Sequence, residues 1–353
     1  MKDSTRLIEQ SCRGRVPART PIFDIFQNDA VIAHYAGRAL SGKDEAAIMA
    51  SAAGRALDGT RWISPPYPKG HTWTDETGNV YDTARWTSWI RTHAMTTEEQ
   101  WREWLPGHIE ELEAHTVPTP AEKTAERAAQ QALNDTLDGS LFIHCTPSTA
   151  INTLLFGNRC GLDVFPYLWM DDRELILRWM RALMRENLRY IERMAHKETG
   201  PLAMIYSDVA YHGALMFSPA TMRDMEFFDD VAAICALCHR KGQLVIFHSD
   251  GYIMDILDDL IAAGIDGLNP LEKAAGMDVY DIRRKHPALI LVGGVDVSHL
   301  LPFGTPQEIR EETRKIIAET GSEGRLLIGS STEVGNDVPL ANYLAFHDEV
   351  MKG

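Results

Sequence analysis

Six short apolar runs from residue 140 onward each end in a turn that presents polar side chains. Five of the six lead directly into a helical stretch, so strand and helix alternate at roughly even spacing. This alternation favours a parallel sheet with helices packed outside it. Because the unit recurs so often, we predict an α/β fold that closes as a (β/α)8 TIM barrel. The runs are SLFIHC (140–145), LAMIYSD (202–208), QLVIFHSD (243–250), IDGLNPLE (265–272), LILVGGVD (289–296) and LLIGSS (326–331).

Polar residues at the ends of these runs are the first candidates for a functional site. The active site of a (β/α)8 barrel lies at the carboxyl ends of its strands, where the loops that follow the strands meet. Side chains far apart in the sequence would therefore converge at the barrel mouth. The candidates are His144, Asp208, His248, Asp250, Asn269, Glu272, Asp296 and Ser331.

Composition and charge exclude several classes of protein. With 353 residues and 44% hydrophobic content the chain can bury a large core, and we predict a single barrel domain over 1–353. The net charge of −15 argues against nucleic-acid binding, which needs clustered Lys and Arg. No apolar stretch has the length of a membrane span, and the charged N-terminus lacks the apolar core of a secretory signal. Five cysteines without a framework spacing fit a reducing compartment, so we expect a cytoplasmic location.

An insertion precedes the regular repeat. Residues 71–91 alternate Trp and Thr positions around ETGN, which has the residue types of a tight turn, so they predict an antiparallel hairpin. Two charged helical stretches follow, at 97–115 and 120–137. We therefore predict that 71–137 forms a hairpin-plus-helix insertion within the barrel domain, and that 71–115 serves as a lid or docking surface over the mouth.

The strongest candidate site is the segment VIFHSDGYI (245–253). Its apolar residues deliver His248 and Asp250 to the end of a strand, and Gly251 then turns the chain into a helix. A His beside a carboxylate suits general acid or base catalysis, because each group can shift the pKa of the other towards neutrality. The same pair equally suits a metal site with His248 as an imidazole ligand. The sequence leaves both interpretations open.

The segment IYSDVAYHG (205–213) places a second carboxylate in a comparable position. Asp208 ends the strand, and Tyr211 and His212 follow in the loop. Asp208 suits a catalytic acid or base, whereas Tyr211 and His212 suit substrate binding. The alternative for Asp208 is a carboxylate that only caps a helix or a loop.

Three later strand ends supply further candidates for substrate binding. Asn269 and Glu272 lie in LNPLE, Asp296 ends GGVD, and Ser331 and Glu333 lie in the Gly- and Ser-rich segment 328–339. Asn-Pro and Gly-Gly pairs are also common in ordinary turns, which is the alternative for the first three. The last strand of a barrel often leads into a loop that binds phosphate through backbone N–H groups.

From about residue 140 to the end, the order and wording of the segments resemble the uroporphyrinogen decarboxylase superfamily. The matching segments are SDVAYHGALMFSP, VIFHSDGYIMDILDDLIAAGIDGLNPLE, LVGGVDVSHLLPFGT and GSSTEVGNDVPLANY. The resemblance implies a (β/α)8 barrel, in agreement with the strand–helix alternation. It also implies one of two chemical classes, because the superfamily contains true decarboxylases and methyltransferases that move methyl groups to or from a corrinoid protein.

The chain departs from the decarboxylases at their substrate-binding segment. Those enzymes carry an arginine-rich sequence of the form RQAGRY that binds the porphyrinogen carboxylates, and the nearest text here is HYAGRALSG, with Arg38 as its only Arg or Lys. A substrate with many carboxylates needs several bidentate Arg partners. The resemblance therefore implies the methyltransferase branch, with a decarboxylase of uroporphyrinogen or of a smaller acid as the alternative.

The chain also departs from the thiol-activating methyltransferases, which hold zinc through a His-x-Cys pair and a later Cys. His248-Ser249-Asp250 replaces the pair, and Ser330-Ser331 lies where the later Cys would. His248 with carboxylates such as Asp250 or Glu333 suits a harder metal site, so zinc remains possible without its usual Cys ligands.

The expected activity follows from that branch. The resemblance implies that a methyl group moves from a small methoxylated or methylated substrate, as in an O-demethylase, to a corrinoid (cobalamin) carried by a partner protein. Members of the superfamily often pair, which makes a homodimer an expectation of the resemblance.

Overall fold

The computed structural model describes residues 3–42, 44–137, 139–157 and 160–353. All six predicted runs contain strands, and each run contributes one strand to a single six-stranded parallel sheet. The strands are β1 (Phe26–Gln27), β2 (Gly59–Thr60), β3 (Thr72–Thr74), β4 (Val80–Thr83), β5 (Ser88–Thr92), β6 (Leu141–Phe142), β7 (His144–Thr146), β8 (Leu202–Tyr206), β9 (Ala210–Tyr211), β10 (Ala214–Leu215), β11 (Leu244–His248), β12 (Gly267–Asn269), β13 (Ile290–Val295), β14 (Leu326–Ser330) and β15 (Val334–Gly335).

The parallel strands close into a barrel. The six-stranded sheet has the order β14-β13-β12-β11-β8-β7, and β6, which directly precedes β7, pairs with β2. Two parallel bridges complete the circle, because Phe23 pairs with Gly59 of β2 and the neighbouring Ile22 pairs with Ile328 of β14. The wall therefore has eight positions: the bridging segment at 22–23, β2, β6–β7, β8, β11, β12, β13 and β14. This closure confirms the predicted (β/α)8 barrel.

Alternation along the strands fills the barrel interior. Successive side chains of a strand point to opposite faces, so every second residue faces the axis. On β8 and β11 the inward residues include Met204 and Ile246, which belong to a cluster separate from the larger core outside the wall. Ile8 and Cys12 join that inner cluster from the N-terminal helix, and Ser11 bonds the carbonyl of Leu326 at the start of β14. The N-terminal helix therefore closes the end of the barrel opposite the mouth.

The helices surround this wall, and those between consecutive barrel strands pack their apolar faces on it. The α-helices are α1 (Asp3–Cys12), α2 (Asp29–Ala36), α3 (Glu45–Ala56), α4 (Glu98–Ala114), α5 (Pro120–Thr136), α6 (Ala150–Asn152), α7 (Gly161–Asp171), α8 (Arg173–Met194), α9 (Pro219–Asp224), α10 (Phe227–Arg240), α11 (Leu257–Ala262), α12 (Val279–Lys285), α13 (Leu300–Phe303), α14 (Pro306–Thr320) and α15 (Leu340–Val350). A π-helix (Thr153–Gly157) follows α6, and single 3-10 turns lie at Met254–Ile256 and Lys273–Ala275. Among the described residues no helix is long and apolar enough to cross a membrane.

His144 corrects one expectation of the sequence analysis. The inner cluster takes Leu141 and Ile143, so the alternation of the strand turns His144 to the outside of the wall. There it lines a small cavity with Gln130 of α5 and Met194 of α8, and burial lowers the pKa of its imidazole to about 4. The next residue, Cys145, faces the interior instead. His144 is therefore not part of the site at the barrel mouth.

The segment 71–137 contains more strand than predicted. β3 and β4 form the expected hairpin, but the chain continues into β5, which also pairs with β4. The result is a three-stranded antiparallel sheet, in which the rings of Trp73 and Tyr81 stack with centroids 4.4 Å apart. Both helices that follow, α4 and α5, contact α8 of the barrel shell. The segment is therefore a small sheet joined to two helices that belong to the outer layer.

Replacing Asp230 by Asn is expected to reduce the loss of stability that occurs as the pH rises from 3.8 to about 8. Asp230 lies on α10, and its buried carboxylate accepts a hydrogen bond from the backbone N–H of Ala150 at 3.1 Å. Burial raises the pKa of this carboxyl from 3.8 to about 8. The folded state thus keeps a proton that the unfolded chain has lost, and its stability falls as the pH rises through that window. Asn cannot ionise, so this part of the pH dependence should disappear.

Melting temperatures of both proteins at pH 5 and pH 8 measure this effect. The Asp230→Asn protein should lose less stability between the two values than the unmodified chain. Asp258→Asn is the control, because 94% of the Asp258 side chain is exposed. Equal pH dependence in all three proteins would show that Asp230 is ionised in the folded state at pH 5.

Candidate functional site

His248 ends β11, and its neighbour on the next strand selects one tautomer of its imidazole. The register pairs His248 with Asn269 of β12, and His248 Nδ1 lies 2.6 Å from Asn269 Oδ1. The amide orientation is fixed because Asn269 Nδ2 donates to the carbonyl of Val292 on β13. Oδ1 must therefore accept, so we assign the proton of the neutral imidazole to Nδ1. Nε2 is left with its lone pair.

That lone pair faces two carboxylates. His248 Nε2 lies 3.7 Å from Asp208 Oδ1 and 3.8 Å from Asp250 Oδ1, and the nearest ligand atoms of the three residues all lie within 4.8 Å of one another. Nε2 of His248 and Oδ1 of Asp250 are both buried without a hydrogen-bond partner among the described residues. Three electron-pair donors thus converge on one point, which calls for a cation or a proton between them.

The pKa values reflect this crowding. Burial, and then the positive charge of Arg61, lower the pKa of His248 to about 3. Burial raises the pKa of Asp250 to about 7, and the nearby charges of Asp208, Glu272 and Glu333 add to the effect. Burial also raises the pKa of Asp208, against the hydrogen bond that it accepts from the backbone of Asp250. His248 is therefore neutral near pH 7, and a proton on Asp250 relieves part of the repulsion between the carboxylates.

Two backbone N–H groups that follow β11 hold the carboxylates of Asp208 and Glu272 in place. The N–H of Asp250 donates to Asp208 Oδ1 at 3.1 Å, which joins the ends of β11 and β8. The N–H of Gly251 donates to Glu272 Oε2 at 2.7 Å. Gly251 has a φ of 83°, and an added Cβ would lie 2.6 to 2.7 Å from backbone atoms of Tyr211. Only glycine fits this turn, so the sequence after His248 fixes where Asp250 points.

Two residues of the site were not among the sequence candidates. Tyr206, at the end of β8, stacks on the imidazole of His248 with centroids 4.5 Å apart and planes inclined by 14°. Arg61 follows β2 directly, and its Cζ lies 4.8 Å from the centre of the Tyr206 ring. Arg61 would have been a candidate if the end of β2 had been placed at Thr60, because residues that follow the barrel strands are the first candidates for a site. Tyr206 resembled a core aromatic because it follows the apolar run LAMI.

The other residues that the sequence predicted for the site differ in whether they lie near Asp208 and Asp250, stabilise a turn or are exposed. Glu272 holds the Gly251 turn, whereas Asp296 accepts hydrogen bonds from the N–H groups of Ser298 and His299 and so stabilises its own turn. Ser331 is buried and accepts a hydrogen bond from the N–H of Val297. Glu333 raises the pKa of both Asp208 and Asp250, which places its charge near the cluster. Tyr211 and His212 are exposed on the loop after β8.

The donor set fits a divalent metal with nitrogen and oxygen ligands. One neutral imidazole nitrogen and two carboxylates are ligands that zinc and other first-row divalent ions accept. The Asn269 bond is the kind of outer contact that orients a ligating histidine and fixes its tautomer. In contrast, a proton-donating role for His248, the alternative from the sequence, is disfavoured because Nε2 carries no proton and the pKa is low.

Comparison with known proteins agrees with this fold. The profile of the uroporphyrinogen decarboxylase (URO-D) family matches residues 155–353, which is more than half of the chain. No curated protein matches the sequence. Among solved structures, a methyltransferase from Methanosarcina mazei superposes with a TM-score of 0.66 at 16% identity, covering 100% of this chain and 99% of that one. A structure of D-psicose 3-epimerase in the presence of D-fructose gives a TM-score of 0.37 at 10% identity, covering 69% of this chain and 85% of that one.

The barrel with polar strand ends defines the class, a (β/α)8 protein with its candidate site at the mouth. Within that class the chain belongs to the uroporphyrinogen decarboxylase family, which confirms the resemblance in the sequence. The identity to the methyltransferase is too low to carry more than the fold. The reaction must therefore be argued from the residues of the site.

Proposed function

We propose that this protein is a methyltransferase that removes a methyl group from a small methoxylated or methylated substrate and passes it to a corrinoid protein. The observation that carries the proposal is the convergence of Asp208, His248 and Asp250, with the imidazole lone pair directed at the carboxylates. An unactivated ether or amine needs an electrophile at the heteroatom that leaves the methyl group. A divalent metal on these three residues would act as that Lewis acid.

The proposed reaction is a nucleophilic substitution at the methyl carbon. The bond between this carbon and the heteroatom breaks, and its electron pair stays on the heteroatom, which gains a proton from solvent. The new carbon–cobalt bond takes both of its electrons from cob(I)alamin on the partner, which is the methyl acceptor. No further oxidant or reductant is required once the acceptor is reduced.

The side chains have separate tasks in this scheme. Asn269 fixes the Nδ1 proton of His248, so that in the neutral imidazole Nε2 carries the lone pair and presents it to the site. The hydrogen bond from the backbone N–H of Asp250 to Oδ1 of Asp208 holds the Asp208 carboxylate beside the imidazole. Tyr206 covers one face of His248 and keeps water from that side of the ring. These contacts prepare the site before substrate arrives.

Two structural features favour this proposal over decarboxylation of uroporphyrinogen. Arg38, the residue aligned with the arginine-rich decarboxylase segment, is exposed and pairs with Asp44 at 3.6 Å. The mouth itself is rich in carboxylates, namely Asp208, Asp250, Glu272 and Glu333. Like charges disfavour a substrate with many carboxylates. A decarboxylase of a smaller acid is the alternative that the functional test must include.

The partner and the location are parts of the same proposal. The indoles of Trp73 and Trp89, on the sheet β3–β5, are 37% and 49% exposed, and exposed aromatics are common in protein interfaces. We propose that the corrinoid protein docks over the mouth against this sheet. The five cysteines are all free thiols, which supports a cytoplasmic location for this protein.

A panel of methyl ethers and methylamines, offered together with free cob(I)alamin, tests the proposal. Methyl transfer converts cob(I)alamin to methylcobalamin, which has a distinct visible absorption spectrum. The same mixtures are analysed for carbon dioxide, with small carboxylic acids added to the panel. Methylcobalamin without carbon dioxide is the expected result. Carbon dioxide without methylcobalamin would establish the decarboxylase instead.

A further inference from the structure

Arg61 is a cation at the barrel mouth with unused hydrogen-bonding capacity. It continues the inward-facing positions of β2, because an added Cβ at Gly59, two residues earlier, would lie 3.1 Å from Ile8 and 3.4 Å from Ile143 of the inner cluster. Its guanidinium lies over the ring of Tyr206 and contacts the thiol of Cys145. Arg61 therefore belongs to the same layer of the interior as the imidazole of His248.

The hydrogen bonds of Arg61 are incomplete. Its Nε is buried and has no hydrogen-bond partner among the described residues. No carboxylate in the described ranges lies within 4.0 Å of its guanidinium, although its charge acts on both Asp208 and Asp250. Arg85, in contrast, is fully engaged with a carboxylate, because it donates three hydrogen bonds to Asp29. A planar guanidinium with free donors matches the two oxygens of a carboxylate.

The charge around Arg61 depends on whether Asp208, His248 and Asp250 (the triad) bind a cation. A divalent cation on Asp208, His248 and Asp250 would neutralise the two carboxylates, so that their negative charges would no longer balance the positive charge of Arg61. An anionic group on the substrate would satisfy both that charge and the orphaned Nε–H. The carboxylates of the triad cannot take this role, since they lie beyond ion-pair distance.

We infer that Arg61 binds a carboxylate on the methyl donor, so that the substrate class is small methoxylated or methylated carboxylic acids. The inference rests on the proposed function, because it places the methyl-bearing atom at the triad and the carboxylate at Arg61. Both groups contact the ring of Tyr206, at 4.8 Å for the Arg61 Cζ and 4.5 Å for the imidazole centre. The two groups therefore lie no further apart than the sum of these two distances, which limits the substrate to a compact molecule.

Calorimetric titration of matched ligands tests this inference without any methyl transfer. The probes are methoxyacetate and 3-methoxybenzoate, each compared with its uncharged amide. In the unmodified protein at least one acid should bind at least about 10-fold more tightly than its amide. Arg61→Gln should remove this difference. Arg61→Lys should keep part of it, because an ammonium retains the charge but lacks the planar fork.

Arg38→Gln is the control, since it removes an exposed arginine that pairs with Asp44 and should leave the difference intact. Equal affinity for acid and amide in the unmodified protein would overturn the inference, as would an unchanged preference in Arg61→Gln. Failure of both acids to bind at millimolar concentration would also contradict it. If methyl transfer occurs only from uncharged or cationic donors, the proposed function stands and this inference fails. If the acids bind through Arg61 but no methyl transfer is found, the proposed function fails and the anion site stands.

Discussion

Substituting His248 by Ala is expected to abolish methyl transfer almost completely. The imidazole supplies the only nitrogen among the three described ligand groups, and its lone pair faces Asp208 and Asp250. Without it, the electrophilic activation of the leaving heteroatom should be lost. Several kcal/mol of transition-state stabilisation correspond to a decrease in rate of about 10³-fold. The rate of methylcobalamin formation at saturating donor concentration measures the effect.

The matched control for this substitution is His212→Ala. His212, on the neighbouring loop, is exposed and is a candidate only for substrate binding, so its loss should leave the rate at saturating donor concentration nearly unchanged. Because His248 is buried, circular dichroism and a melting curve must first show that His248→Ala folds. A folded His248→Ala protein with the full rate would show that the imidazole has no part in the reaction.

Replacing Gly251 by Ala should strongly destabilise the fold around the site. Gly251 combines a φ of 83° with backbone atoms of Tyr211 at 2.6 to 2.7 Å from an added Cβ. The left-handed conformation alone costs an alanine about 1–2 kcal/mol. The overlap with a rigid backbone comes in addition, so we expect a total loss of at least about 3 kcal/mol in the free energy of unfolding. Urea denaturation measures this loss.

Gly213→Ala separates the two contributions. Gly213 has a φ of 88°, but nothing lies within 4 Å of an added Cβ. It should therefore show the conformational cost alone, about 1–2 kcal/mol. If the two variants lose the same stability, the Tyr211 backbone moves freely, and the turn after Asp250 is not as closely held as the structure indicates.

The barrel could be predicted from the sequence because its strands and helices alternate with clear breaks. Six runs were long enough to be recognised as strands, and the parallel arrangement follows from the helices between them. The same rule placed Asp208, His248 and Asp250 near one another, since the carboxyl ends of parallel strands meet at the mouth. The convergence of these three residues on one point is therefore a consequence of fold class and register.

Other features of the site depended on information that a linear sequence does not contain. The tautomer of His248 follows from its pairing with Asn269, which requires the order of β11 and β12 in the wall. Arg61 was missed because the sequence TRWISPPYP predicts a strand over 60–68 that contains Arg61, whereas β2 ends at Thr60, directly before it. His144 was misplaced because a one-residue shift in a strand moves a side chain to the opposite face.

Local hydrogen bonds explain why Asp296 stays apart from the cluster of Asp208, His248 and Asp250. Asp296 ends β13 as predicted, but its carboxylate accepts from two N–H groups of the following turn. Such short-range bonds are the usual role of Asp at these positions. A strand-end carboxylate is thus a candidate only when its own turn leaves it free, as at Asp250, whose Oδ1 has no partner among the described residues.

The metal content of the purified protein tests whether Asp208, His248 and Asp250 form a metal site. After incubation with Zn²⁺ and removal of free ions, the unmodified protein should retain close to one equivalent by elemental analysis. His248→Ala should lose it, and His212→Ala should retain it, because only His248 directs a lone pair at Asp208 and Asp250. The same experiment with Mn²⁺ and Co²⁺ covers metals that prefer oxygen ligands more strongly. Absence of any bound metal in the unmodified protein, or an equal metal content in His248→Ala, would show that Asp208, His248 and Asp250 do not form the metal site.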